Sequence, residues 1–524
     1  MGRELVALKK VPAGNIVGIG GLEKSVLKSG SIISPNINGV NLAGVNLTTP
    51  PIVRVALEPV NPTQMDRLVK GLELLNQADP CVQTFVQSTG ELILATAGEL
   101  HLERCLKDLK ERFAGIEISS SKPDIPYRET IISNNNNEMN PQKTPDVGPR
   151  GWVNIKLGKY SIKLSVRPLP EETTKFLNSN HLTISKLVNS QKKLNKKVTE
   201  SEDEESQEDV EEEIEVELKD EDELDEDDNF GTAAKELSLS EFKSKLDESL
   251  KTGNDLKLKE NIEWSDKINR IVSFAPKRTG ANILFDSESN DLSRFFNDID
   301  NSTNDNTKDK KSLFEFADSL LNGYQLATLR GPLAAEPTEG VAVFIESIGE
   351  LPEEEVTNVP NISGRMITSF RDAIHQGFLD WSPRIMLAMY SCDIQASAEV
   401  LGKVYAVVQK RRGRIISEEM KEGTPFFTIE ARIPVVEAFG FSEDIRKKTS
   451  GAASPQLVFV GYEMIDLDPF WVPTTEEELE ELGEFAEREN VARKYMNQIR
   501  RKKGMFVDEK VIKNAEKQRT LKKD

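Results

Sequence analysis

Lys410-Arg411-Arg412-Gly413-Arg414 gathers four cations about one glycine, and the chemistry that suits such a cluster is electrostatic. Four charges presented at a turn can meet the dense negative charge of a nucleic-acid backbone and displace its condensed counterions. The same cluster also suits a plain solvated helix end, because cations near a helix C-terminus oppose the macrodipole. Arg446-Lys447-Lys448 is a second cluster, again where a helix is expected to end. The sequence leaves open whether the two share one surface.

Groups that do covalent chemistry are scarce. The phosphate-cradling pattern G-x-x-x-x-G-K-[ST] does not occur. The nearest approach, Gly18-Ile19-Gly20-Gly21 followed by Lys24-Ser25, has the wrong spacing and reads as a glycine turn, so this chain is not expected to hold a nucleotide. His101, His181 and His375 are isolated from one another and from cysteine pairs, which speaks against zinc. His101 stands beside Glu99 and Glu103 on an expected helix, where a surface or packing role is its default. No nucleophile with an adjacent base can be assigned. Neither a catalytic residue nor a metal-ligand set is therefore expected, and the chain reads as a binding device.

The net charge of −20 looks hostile to nucleic acid until its distribution is considered. Residues 202–228 hold nineteen acidic side chains against one base, Lys219, and so carry −18. The other 497 residues carry −20 − (−18) = −2, a near-neutral background on which local basic clusters can act. The acidic run suits a self-repelling solvated linker or a docking tail for a basic partner. Cys81, Cys105 and Cys392 are scattered and odd in number, as expected for reduced, mostly buried thiols of a cytoplasmic protein. No apolar run reaches the ~18 residues of a membrane-spanning helix.

The elements that must position these groups follow from periodicity. Short β runs punctuated by Gly14, Gly20-Gly21 and Gly30 suggest a barrel fragment over residues 1–50, with Met1 expected to fall partway through the barrel. From residue 51 the order is strand, helix, hairpin, helix, strand, the helices marked by Met65, Leu68, Val69, Leu72 and by Leu102, Leu106, Leu109, Phe113. That is βαββαβ, the ferredoxin-like plan. The same order returns over 383–470, with the 410–414 cluster at its first helix-to-strand turn. Between the two modules, polar stretches at about 178–258 and 286–311 are expected to be disordered insertions. After Pro473, Thr475 and Glu478 form a capping box that is expected to open a long helix, basic toward its end.

Several separated motifs then resemble one family. Residues 11–18 (Val-Pro-Ala-Gly-Asn-Ile-Val-Gly), 97–103 (Ala-Gly-Glu-Leu-His-Leu-Glu), Tyr127-Arg128-Glu129-Thr130, Gly331-Pro332-Leu333, Lys410-Arg411-Arg412-Gly413 and Phe439-Gly440-Phe441 are similar to the elongation factor 2 family. Residues 389–394, 418–424, 444–451, 454–459 and 468–475 resemble more closely its elongation-factor-like GTPase 1 branch in eukaryotes. The resemblance implies an α+β multi-domain chain: the end of a domain II β-barrel at 1–50, ferredoxin-like domain III at 51–121, an α/β domain IV at 122–382 with insertions, ferredoxin-like domain V at 383–470, and a carboxy-terminal helical extension at 471–524. It implies that GTP and magnesium belong to an amino-terminal domain outside this chain. It implies cytoplasmic release of the anti-association initiation factor six from the large (60S) ribosomal subunit, with the Shwachman–Bodian–Diamond syndrome protein as partner and no membrane. Lys410, Arg411, Arg412, Arg414, Arg446, Lys447 and Lys448 become the RNA-binding candidates. Translocation by elongation factor 2 proper and a non-GTPase RNA-binding scaffold are the alternatives. The first needs a modified histidine at the tip of domain IV. Asp372-Ala373-Ile374-His375 resembles that neighbourhood but follows Gly364-Arg365-Met366-Ile367, which places His375 on the next helix, and residues 346–363 contain no histidine.

Overall fold

The computed structural model describes residues 8–22, 30–34, 51–87, 90–132, 150–181, 183–188, 239–252, 267–286, 317–352, 361–420, 423–471 and 490–507, with Val26, Trp264 and Phe295-Phe296 besides. They fall into two compact units, residues 1–124 and 125–524. Among the described residues of 1–50 no strand forms, so the expected barrel fragment is not seen there.

The first unit is the ferredoxin-like module the periodicity predicts. Strands β1 (Val53–Pro59), β2 (Gln83–Val86), β3 (Leu92–Thr96) and β4 (Ile118–Ser120) form an antiparallel sheet in the order β2-β3-β1-β4. Asn61 accepts a hydrogen bond from the Thr63 N–H and opens the turn into α1 (Met65–Ala78). The stripe Leu68, Leu72 and Leu75 buries that helix, and Leu102 and Cys105 bury α2 (Glu99–Asp108).

The second unit joins two sheets. In the first, β6 (Trp152–Leu157), β7 (Tyr160–Pro168), β8 (Ile271–Ala275), β9 (Asn282–Asp286) and β10 (Val341–Glu350) take the order β6-β7-β10-β9-β8, with only β9 and β10 parallel. The two-residue period splits β10 between two cores. Val341, Val343 and Ile345 pack with Tyr324 of α5 (Ala317–Leu329) and Phe370 of α6 (Ile362–Leu379). Ala342 and Phe344 face the other way, toward α3 (Glu171–Ser179) and α4 (Leu239–Thr252).

This corrects the reading of 178–258 as a disordered insertion at 183–188 and 239–252, while residues 189–238 and 253–258 lie outside the described residues. Residues 183–188 are helical, and α4 buries Phe242, Leu246 and Leu250 against the sheet. Their 4-residue spacing is helical, but flanking charge hides it in composition. Within the 286–311 stretch Phe295 and Phe296 are buried as well. The acidic run at 202–228 lies outside the described residues.

The second ferredoxin-like module is built from β11 (Ser382–Ser397), α7 (Leu401–Lys410), β12 (Arg414–Met420), β13 (Phe426–Pro434), α8 (Phe441–Thr449) and β14 (Ala453–Met464), in the sheet order β12-β13-β11-β14. Strand β5 (Tyr127–Ile132) pairs antiparallel with the first half of β11, so a strand from the 122–382 segment extends the sheet of the 383–470 segment. Helix α9 (Val491–Lys502) is capped by Asn490, whose side chain accepts from Ala492 and Arg493 N–H, while Thr475 and Glu478 of the expected capping box lie outside the described residues. It buries Tyr495, Met496 and Ile499 in the α5–α6 core. Among the described residues no helix is long and apolar enough to cross a membrane.

Candidate nucleic-acid interface

The 410–414 turn links α7 to β12 because Val404, Val407 and Val408 bury one face of the helix and Arg412 takes a left-handed conformation, φ 54°. Its cations divide by what they touch. Arg411 is committed to the fold. Its guanidinium donates to the carbonyls of Glu437 (3.1 Å) and Phe439 (2.7 Å) and pairs with Asp444 of α8 at 2.6 Å. Arg412 donates to the Tyr495 hydroxyl at 3.2 Å and lies 5.6 Å over its ring, which ties α9 to the turn. Lys410 is exposed, and Arg414 keeps 75% of its side-chain surface while lying 3.7 Å from Glu463.

The second cluster shares this surface. Arg446, Lys447 and Lys448 are exposed on α8, with Lys447 paired to Glu443 at 2.7 Å along the helix. The hydrogen bond from Arg411 holds the Asp444 carboxyl below its usual range, and Lys410 and Lys448 add to that from opposite clusters. One carboxylate thus sits between the two groups, which the sequence could not reveal. Lys410, Arg414, Arg446 and Lys448 are exposed, Arg412 and Lys447 are exposed but engaged with Tyr495 and Glu443, and the half-buried Arg411 clamps α7 to α8. Arg411→Ala is accordingly expected to lower stability by about 1–3 kcal/mol, since two buried-side carbonyls and a carboxylate lose their partner. Arg414→Ala should stay within about 0.5 kcal/mol. Urea midpoints of the two variants make the comparison.

Two motifs far apart in sequence meet at a buried anchor in the same unit. Glu129 is buried, and its carboxylate accepts from the N–H groups of Leu333 (2.8 Å), Ala334 (2.8 Å) and Glu336 (3.0 Å). Gly331 is required there, because a Cβ would lie 2.3 Å from Glu129 Oε2. From α9, Arg500 donates to the Leu333 carbonyl, while Lys503 donates to that of Ala335 (2.6 Å) and pairs with Glu336 at 2.6 Å. Burial pushes the Glu129 carboxyl up to about 7, against the three N–H bonds that favour its charge.

Among the described residues Asp79, His101 and Cys105 form the one group spaced for a metal. Their bonding does not fit one. Nδ1 of His101 accepts from the Ala97 N–H (3.2 Å), which leaves Nε2 to donate to Asp79 at 2.9 Å, so neither nitrogen offers a lone pair. Burial and then Asp79 push the Cys105 thiol up to about 12, away from the thiolate that a metal needs. The group pins the end of α1 to the start of α2. His375 lies on α6, as the motif order implies, with Nε2 3.2 Å from the Ala327 carbonyl and its pKa lowered by burial.

Comparison with known proteins agrees with these modules. The family described as Elongation Factor G, domain III matches residues 48–121, and Elongation factor G C-terminus matches 385–471. An Elongation factor-like GTPase 1-like domain matches 219–287, which includes α4 and the β8–β9 hairpin. The chain is 52% identical to ribosome assembly protein 1 of Saccharomyces cerevisiae, covering 100% of this chain and 44% of that protein. Identity is 45% to ribosome assembly protein 1 of Schizosaccharomyces pombe and 39% to elongation factor-like GTPase 1 of Homo sapiens, each over 100% of this chain and 49% of the relative. The chain therefore spans about half the length of the relatives it matches.

Proposed function

This chain belongs to the elongation-factor-like GTPase family over the part of those proteins that it spans, and we propose that it is the part that docks on ribosomal RNA of the large (60S) subunit during cytoplasmic ribosome assembly. In this reading GTP and magnesium bind elsewhere in the full-length protein. Hydrolysis there is coupled, through the two ferredoxin-like modules, to release of the anti-association initiation factor six, with the Shwachman–Bodian–Diamond syndrome protein as partner. The observation that carries the docking step is that Lys410 of the first cluster and Lys448 of the second are both exposed and both act on the Asp444 carboxylate, with Arg414 and Arg446 exposed in the same two clusters. Two loops from one module that present cations side by side can follow a phosphate backbone, whereas a single solvated helix end needs no second cluster. The absence of a histidine from residues 346–363 argues against the translocase reading.

Changing Lys410, Arg414, Arg446 and Lys448 together to Gln, with Arg411 left in place, removes charge without touching the α7–α8 clamp. Affinity of the full-length protein for purified large subunits is expected to fall. The slope of log affinity against log salt should become shallower by up to about 3 if all four meet phosphate. Sedimentation binding across a salt series reads both quantities. An unchanged affinity and slope would reduce the surface to a solvated helix end.

A further inference from the structure

The hairpin between β8 and β9 turns through Pro276, Lys277, Arg278, Thr279 and Gly280, and both cations take left-handed backbone conformations, φ 56° and 62°. Such conformations disfavour any residue with a Cβ, and long side chains gain nothing locally that repays the strain. Glycine adopts them freely. Among the described residues only Arg412, in the 410–414 basic turn, is another cation held this way.

The turn is fixed from several sides. Gln325 of α5 accepts from the Arg278 N–H (3.1 Å) through Oε1 and donates to the Phe274 carbonyl (2.7 Å) through Nε2. Asn282 donates to the Ala275 carbonyl at 3.0 Å. Thr279 and Gly280 N–H close on the Pro276 carbonyl, and a Cβ at Gly280 would lie 2.3 Å from the Ala275 oxygen. Lys277 and Arg278 are exposed. Beside Gln325 on α5, Leu326 and Leu329 are 45% and 37% exposed and Arg330 is exposed too. A rigid, strained turn that holds two cations outward next to exposed apolar side chains has the make-up of a contact site.

We infer that the Lys277–Arg278 turn is a second phosphate-binding point for RNA, apart from the face formed by α7 and α8. The inference rests on the docking reading above and extends it to the other sheet of the second unit. Strain held in place by neighbouring elements keeps the two charges preorganised, so little side-chain and loop entropy is lost when phosphate arrives. Phosphate is favoured over an acidic protein surface because the partner in that reading is rich in RNA.

The test replaces both residues with glycine in the full-length protein. Lys277→Gly with Arg278→Gly is expected to raise the melting temperature by roughly 2 °C or more, because relief of strain outweighs the chain entropy glycine adds. Affinity for large subunits should nonetheless fall, by roughly tenfold at low salt, with a salt slope shallower by up to about 2. The pair Lys277→Gln with Arg278→Gln keeps the strained backbone, and should show the same binding loss with no rise in melting temperature. A glycine variant that binds with unchanged affinity and slope overturns the inference, as does one that melts lower, which would make the cations structural. Loss of binding to whole subunits but not to protein-free large-subunit RNA would assign the contact to an acidic protein and overturn the RNA assignment. Failure of the wild-type protein to bind subunits would instead sink the docking reading, and is visible without any variant.

Discussion

Glu129→Ala is expected to destabilise the second unit by about 3–5 kcal/mol. The reasoning starts from three donors. The N–H groups of Leu333, Ala334 and Glu336 all point at one buried carboxylate, and a buried donor left without a partner costs about 1–3 kcal/mol. Alanine strands all three, although water entering the space offsets part of the loss. Glu129→Gln keeps one acceptor oxygen but faces an amide donor toward at least one N–H, so a smaller loss of about 1–3 kcal/mol is expected. The pH dependence supplies a separate signature. The folded-state carboxyl titrates at about 7, above the unfolded value near 4.5, with burial as the main cause. The folded state therefore holds a proton that the unfolded chain has already released. Stability from this group is fully present below about pH 4.5 and is lost as pH rises through about 7, a swing of about 3 kcal/mol. Urea midpoints of the wild type between pH 5 and 8 should fall by this contribution, and the Gln variant should be flatter across the same window. Equal pH slopes for the two would mean that Glu129 is ionised throughout.

The contrast between legible and hidden features is physical. Both ferredoxin-like modules could be read because their signals are local: an Asn61 cap, leucines one helical turn apart, and β runs broken at glycines. The site was half legible. Charge at 410–414 and 446–448 is visible in sequence, but the burial of Arg411 depends on carbonyls at 437 and 439 that only the fold brings near. Lys277 and Arg278 carry no signal in the sequence because two adjacent cations at a turn between strands are common, and a positive φ has no signature outside glycine and asparagine. The Tyr127–Thr130 and Gly331–Leu333 motifs stand out in the sequence by resemblance alone. Their joint purpose, a carboxylate seated in a turn about 200 residues away, is a tertiary fact.

The reverse face of the β6–β10 sheet yields the second large effect. Trp264 is buried with its ring centroid 6.2 Å from Phe285 and 5.9 Å from Phe344, and those two stack on each other at 4.7 Å. Phe242 of α4 lies 5.5 Å from Phe176 of α3 and 6.5 Å from Phe296. Each ring fills a place on a sheet face that alternation along β9 and β10 makes apolar, so neither can be withdrawn without leaving a void or exposing that face. Trp264→Ala or Phe242→Ala should each cost about 3–5 kcal/mol. Removal of residues 202–228 should behave differently. That run joins helices that are already anchored, and its nineteen acidic side chains leave few apolar groups to offset the entropy of ordering. Its deletion is expected to leave the melting temperature nearly unchanged, while each aromatic truncation lowers it. The pair of results would divide the 178–258 segment into a solvated run and a packed layer, and the layer carries part of the stretch that matches the elongation factor-like GTPase 1-like domain. A deletion variant that melts as low as Trp264→Ala would show that the acidic run packs. Truncations without effect would show that α4 and Trp264 do not hold this face, and that the sheet is stable with its reverse side open to water.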